Sequence, residues 1–175
     1  MPVATAMYGE ALTEREEDAQ LRLDFAAFTQ RCFRELNPLV PLAMNWHTEI
    51  MTAKLAAVYR GQIRRLIVNV PPRYLKSLLG SVAFPAWCLG RRPGTQIVCA
   101  SYAQDLADKL GRDCRRIVTS DWFEQAFPTR LSAQRQAVGE FETTQQGCRL
   151  ATSVGGGSCR HARRDVAVVA VKARA

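Results

Sequence analysis

The chain has 175 residues, 47% of them hydrophobic and 23% charged, with a formal net charge of +8. That length suits one domain with its own core, and the balance of apolar and charged residues excludes wholesale disorder. The apolar runs are too short to span a bilayer and the first residues are acidic, so the expectation is a cytoplasmic protein without a signal peptide or membrane partner.

The charge is unevenly spread. Residues 1–24 carry Glu10, Glu14, Glu16, Glu17, Asp18 and Asp24 against Arg15 and Arg22, whereas residues 149–175 are basic apart from Asp165. A basic balance permits contact with nucleic-acid phosphates and is also ordinary among soluble proteins. The cysteines Cys32, Cys88, Cys99, Cys114, Cys148 and Cys159 show no C-x-x-C spacing and sit mostly in apolar patterns, which argues against zinc and against a disulfide framework.

In chain order, residues 1–11 read as a lead-in. Thr13 and Glu16 form a capping box, and Leu21, Phe25, Phe28, Cys32 and Leu36 recur at helical spacing up to Asn37-Pro38, so one amphipathic helix is expected. Residues 1–37 thus make an N-terminal helical lead-in to a main domain over 38–175. Trp46 to Tyr59 reads as a second helix ended by Gly61. Its Trp46-His47 pair reads as an aromatic anchor beside a surface histidine, with base stacking or adenine reading as the alternative; neither makes His47 catalytic.

The stretch Leu66–Leu79, LIVNVPPRYLKSLL, is the most informative in the chain. An apolar, β-branched run predicts a strand, which breaks at Pro71-Pro72, passes through Arg73, Tyr74 and Leu75, and enters a helix at Lys76 and Ser77. A helix N-terminus offers unpaired N–H groups and a partial positive charge, both suited to a phosphate. A lysine can reach outer phosphates, and the serine after it can ligate magnesium. The prolines have no N–H to donate, so the donors must come from Arg73 through Ser77. Val70 and Leu75 stand where G-x-x-x-x-G-K-[ST] has glycines. Taken alone, the stretch equally reads as a strand and helix joined by a proline turn with a solvated lysine.

Beyond it, the helix from Lys76 runs towards Gly90 with a kink at Pro85, a turn follows at Arg91–Gly94, and Thr95–Ser101 is a buried strand. The helix over Ala103–Val118 places Leu106, Leu110, Cys114 and Ile117 on one face and Lys109, Arg112, Arg115 and Arg116 largely elsewhere, a basic cluster that is either solvated or tracks phosphates. Ser120–Pro128 reads as a short helical turn with buried aromatics, followed by a polar loop with Arg130 and Arg135. Phe141–Thr143 and Cys148–Thr152 read as a hairpin around Gln145-Gln146-Gly147, Gly155–Gly157 as a flexible loop and Asp165–Val171 as a buried strand. Alternating strands and helices predict an α/β fold: a three-layer, P-loop NTPase-like sandwich with a mainly parallel sheet, preceded by N-terminal helices.

The ordered succession VNVPPRYLKSLLGSVAFPAWCLG, IVCASYAQDLADKLGRDCRRIV, SDWFEQAFP and EFETTQQGCRLATSVGGG resembles the ATPase domain of tailed-phage terminase large subunits, over roughly residues 38–157. In that family PPR-x-x-KS is a Walker A variant. The resemblance implies that Arg73, Tyr74, Leu75, Lys76 and Ser77 hold ATP phosphates, that Lys76 meets the β and γ phosphates, and that Ser77 ligates magnesium. It further implies a DNA-packaging motor in a phage- or prophage-bearing bacterial cytoplasm. ATP hydrolysis would drive double-stranded DNA into capsids, in a ring of identical subunits partnered by a portal and a small terminase subunit.

The chain departs from the family in one respect that bears on chemistry. The family's glycine loop leads into a strand ending in Asp-Asp or Asp-Glu, the Walker B acids. Here VAVVAV runs into Lys172, and Asp165 stands at the strand's start, about 20 Å from its carboxyl end at ~3.3 Å per residue. No catalytic residue is assigned on this basis. The expectation is a truncated ATPase domain, impaired in hydrolysis and without the nuclease domain. A helicase-like P-loop translocase and a non-catalytic prophage remnant are the alternatives.

Overall fold

The computed structural model describes residues 13–137, 139–153 and the backbone of 166–170. The predicted first helix is two. Helix α1 (Glu14–Leu23) carries the capping box, and α2 (Phe25–Leu36) follows after a single residue. Asp24 causes the break: its backbone is extended and its carboxylate accepts from the Ala26 N–H, so its side chain caps α2 instead of continuing α1. Helix α3 (Trp46–Tyr59) has the predicted bounds, with Gly61 at φ 75° just beyond its end.

A helical run then extends from Lys76 to Arg91, as α4 (Lys76–Leu78), a π turn (Leu79–Ala83) and α5 (Phe84–Arg91). Pro85 produces a widened turn before it, in place of the predicted simple kink. Strand β1 (Gln96–Ser101), α6 (Gln104–Val118) and α7 (Asp121–Ala126) fall where the periodicity puts them. Three strands complete the well-described part: β2 (Leu131–Gln136), β3 (Glu140–Thr143) and β4 (Cys148–Ser153). The predicted hairpin is β3–β4, and the predicted polar loop before it is strand β2. Strand β5 (Val166–Ala170) lies within the predicted last strand. The Gly155–Gly157 loop and Asp165 lie outside the described residues.

The sheet order is β2-β3-β4-β1-β5. Strand β1 pairs in parallel with β4 on one side and β5 on the other, while β3 is antiparallel to both β2 and β4. The sheet is therefore mixed, and the mainly parallel arrangement expected from the sequence is not what forms. The reason is the β2-β3-β4 meander: its short links join neighbouring strands antiparallel, whereas a parallel link needs a longer crossover. The predicted strand over residues 66–70 is also absent. Those residues join no sheet, and Ile67 is 93% exposed. Strand propensity needs a partner with free N–H and C=O groups, and β4 and β5 occupy both edges of β1.

Ile97, Cys99, Arg149 and Ala151 form the fully buried face of β1 and β4, against which α6 packs, while Val98, Ala100 and Leu150 on the other face stay half-exposed. The described residues thus supply a sheet with helices over one face, two layers where three were expected. The core is aromatic. Phe28 is centred 5.6 Å from Trp122 and 5.7 Å from Phe127, Phe25 is 5.1 Å from Trp87, and the Trp87 indole N–H donates to the Leu21 carbonyl at 3.1 Å. Aromatic side chains bury large areas in such edge and tilted contacts. This cluster fixes α1, α2 and α7 against the helix that carries Lys76. All five described cysteines are free. Burial pushes the Cys99 and Cys114 thiols up, Cys114 to about 12, with the Arg149 charge pulling the other way. Among the described residues no helix is long and apolar enough to cross a membrane.

Candidate phosphate-binding loop

The loop between residue 70 and Lys76 has two non-glycine residues in the left-handed region, Arg73 at φ 69° and Leu75 at φ 57°. For an L-residue with a branched side chain this backbone costs about 1–2 kcal/mol. Leu75 is the residue directly before the Lys-Ser pair, where the usual motif has its second glycine. The geometry a glycine would adopt is therefore present without the glycine. Left-handed residues in a turn are ingredients of the backbone concavities that bind anions.

Lys76 opens the helix and folds back over the loop, its ammonium donating to the carbonyls of Val70 and Pro71, both at 3.1 Å. Two carbonyls hold the charge at the loop's mouth. The helix start is closed by the Leu79 N–H donating to the Leu75 carbonyl at 2.9 Å. Lys76 and Ser77 are half-buried, and Arg73 and Tyr74 are exposed.

Two cavities flank this loop, and Arg73 and Leu75 line both. One, of about 590 Å³, also has Asn45, Trp46, His47 and Tyr74 in its walls. The His47 and Tyr74 rings are 4.8 Å apart and Trp46 lies 5.9 Å from His47. Trp46 is 73% exposed, so it does not anchor the core as one reading of the sequence had it. Its position at the start of α3 brings it beside the loop, not into the aromatic cluster.

The other cavity, of about 490 Å³, is lined by Lys76 and Ser77 together with Lys109, Asp113 and Arg116 of α6. Of the predicted basic cluster, Lys109 and Arg116 thus face the loop, and Arg116 also meets Glu35, its guanidinium 3.5 Å from the carboxylate. Asp113 was not singled out from the sequence, although Lys109, Asp113 and Arg116 share one stripe at helical spacing. Burial raises its carboxyl above the usual range, opposed by the charges of Lys109, Arg112, Arg116 and Arg149.

The loop brings all five predicted residues, Arg73, Tyr74, Leu75, Lys76 and Ser77, to one place. No group of three or more His, Cys, Asp or Glu side chains among the described residues could hold a metal by itself. Magnesium here would rest on the Ser77 hydroxyl and on oxygens of a bound phosphate, which suits a cation that keeps several waters. Compared with known protein families, with curated proteins and with solved structures, the chain matches none of them.

Proposed function

We propose that this chain is an ATP-binding domain of the P-loop type, built as the motor domain of a terminase large subunit that couples ATP hydrolysis to packaging of double-stranded DNA. The observation that carries the reading is Leu75 at φ 57° immediately before Lys76 and Ser77 at a helix start. A bulky residue has no intrinsic reason to be left-handed, and strain of this kind gathers at sites where the backbone serves a ligand.

In this reading the triphosphate lies across the N–H groups of Arg73 to Ser77. The Lys76 ammonium leaves the Val70 and Pro71 carbonyls for the β and γ phosphates, and the Arg73 guanidinium closes over them from the exposed side. The Ser77 hydroxyl would hold a magnesium ion, which would supply charge neutralisation at the phosphates. Trp46, His47 and Tyr74 border the adjoining cavity, and adenine would stack on the face of one of these rings. The residues of this chain position and neutralise. A carboxylate to polarise the attacking water is missing from the end of the VAVVAV segment, so hydrolysis is slow.

Double-stranded DNA is the proposed macromolecular partner. Arg91 and Arg92 each place a guanidinium 4.8 Å from the Tyr59 ring, and Arg60, Arg64 and Arg65 follow Tyr59 in the chain. No carboxylate interrupts either basic segment, which suits the phosphate backbone. The portal, the small terminase subunit and a ring of identical copies are proposed on the resemblance alone.

Titration of ATP with and without magnesium, followed by phosphate release, tests the reading. Binding with release at or near the spontaneous rate is expected. ATP binding that survives Lys76→Ala unchanged would remove the loop from the site. Loss of both binding and release would leave a non-catalytic remnant.

A further inference from the structure

Pro85 has no N–H. In an α-helix the carbonyl four residues earlier depends on that donor, and in a π turn the carbonyl five earlier; at the step from one spacing to the other these are Ser81 and Gly80, and a proline at 85 serves neither. The turn is already widened: the Phe84 N–H reaches back five residues to the Leu79 carbonyl. Ser81 is fully buried, so an unmet carbonyl there carries a desolvation cost. It is met by Arg149, whose Nη2 donates to the Ser81 oxygen at 2.9 Å.

Arg149 occupies a position where β-strand alternation asks for an apolar residue. It lies opposite Ile97 of β1 and Phe141 of β3, both fully buried, and is itself 1% exposed. Its Nε and Nη1 have no oxygen or nitrogen partner among the described residues, and the Cys99 sulfur is the remaining polar atom at the guanidinium. A buried cation with one carbonyl acceptor and no carboxylate partner is a poor stabiliser, and an apolar side chain of similar volume would serve the core better. An apolar side chain could not, however, donate to Ser81.

We propose that Arg149 is a positioning residue for the phosphate loop: from the centre of the sheet it holds the Pro85-disrupted turn, and so sets the helix that presents Lys76 and Ser77. Lys76 lies five residues before Ser81, about 7.5 Å along the helix. A shift of the turn is therefore transmitted to the loop within the same rigid segment. The inference rests on the nucleotide reading of the loop. Its particular content is the dependence of Arg149 on Pro85.

The test is a double-mutant cycle on the full chain, comparing the unmodified protein with R149M, P85A and P85A/R149M. Three quantities are read: the midpoint of thermal unfolding, amide exchange at Ser77–Leu79, and affinity for magnesium-ATP. Arg149→Met is expected to lower Tm by roughly 3–6 °C, to speed exchange at the helix start more than in α3, and to weaken ATP about tenfold. Pro85→Ala restores an N–H able to reach the Ser81 carbonyl. The double variant should therefore recover Tm and exchange, and bind ATP within about threefold of P85A. R149K, which keeps one donor, should fall between. If R149M does not fold, recovery of a folded protein by P85A supports the dependence equally. A double variant as impaired as R149M overturns the proposal, as does an R149M protein whose helix start exchanges no faster. Should the unmodified protein bind no ATP, the nucleotide reading fails, and the thermal and exchange arms decide between a strut and no strut on their own.

Discussion

Leu75 is the residue on which the proposed phosphate loop turns. Its left-handed backbone fills the role of a glycine, so the ordinary ranking of side chains should reverse there. Leu75→Gly is expected to be more stable than Leu75→Ala by about 1 kcal/mol, because both lose the same packing and only alanine keeps the Cβ strain. Chemical denaturation of the pair measures it; alanine equal to or above glycine would mean that the loop does not hold this conformation. This strain was only half legible in the sequence. The Lys-Ser pair after a proline-broken apolar run is the pattern on which a phosphate loop is proposed, yet a leucine in the glycine position gives no sign of the φ it adopts. Arg149 was less legible still. Nothing in CRLATS says that its arginine faces the core, because the partner that retains it is a carbonyl orphaned by a proline 64 residues earlier in the chain.

Single elements follow local chemistry where a cap or a close approach dominates. In α1 the Glu16 carboxylate accepts from the Thr13 N–H at 2.9 Å and from its hydroxyl at 2.8 Å, and the backbone bond is the larger cause holding its carboxyl below the usual range. A depressed carboxyl contributes stability that is present above the unfolded value of about 4.3 and is lost as pH falls through the folded value. Protection against amide exchange in the first turn of α1, taken relative to the intrinsic rate at each pH, should therefore fall on acidification below about pH 4, and Glu16→Gln should flatten that dependence; protection indifferent to pH would contradict the cap. In the β3–β4 link the close approach is Gly147. A Cβ there would fall on the Pro93 carbonyl and within 2.8 Å of the Thr95 oxygen, both backbone atoms that cannot step aside. Gly147→Ala is expected to cost about 3 kcal/mol, read from the denaturation midpoint, and an unchanged midpoint would place the hairpin elsewhere. An element with strong period, such as α6, was readable in the chain. Strand β2 was not, since LSAQRQ lacks alternation and becomes a strand because β3 offers it a ladder, with a register shift along the way. Residues 66–70 are the converse: high β propensity, no ladder partner, and no strand.

At the scale of the molecule, the aromatic cluster of α2, α5 and α7 ties the N-terminal helices to the loop-bearing helix, and the mixed sheet backs that helix through α6 and Arg149. The basic ends of α3 and α5 converge on Tyr59. If they meet DNA phosphates, the logarithm of affinity falls linearly with the logarithm of salt, and Arg91→Ala with Arg92→Ala should lower that slope by about 2. An unchanged slope would move the contact off this surface. The most direct test of the central claim is calorimetric titration of magnesium-ATP into the unmodified chain and into Lys76→Ala. The Lys76 ammonium is held at the mouth of the loop by two carbonyls, poised for a phosphate, and its removal should weaken binding by about tenfold or more. Equal affinity in the two proteins, or no binding by the unmodified chain, would contradict a nucleotide site at this loop.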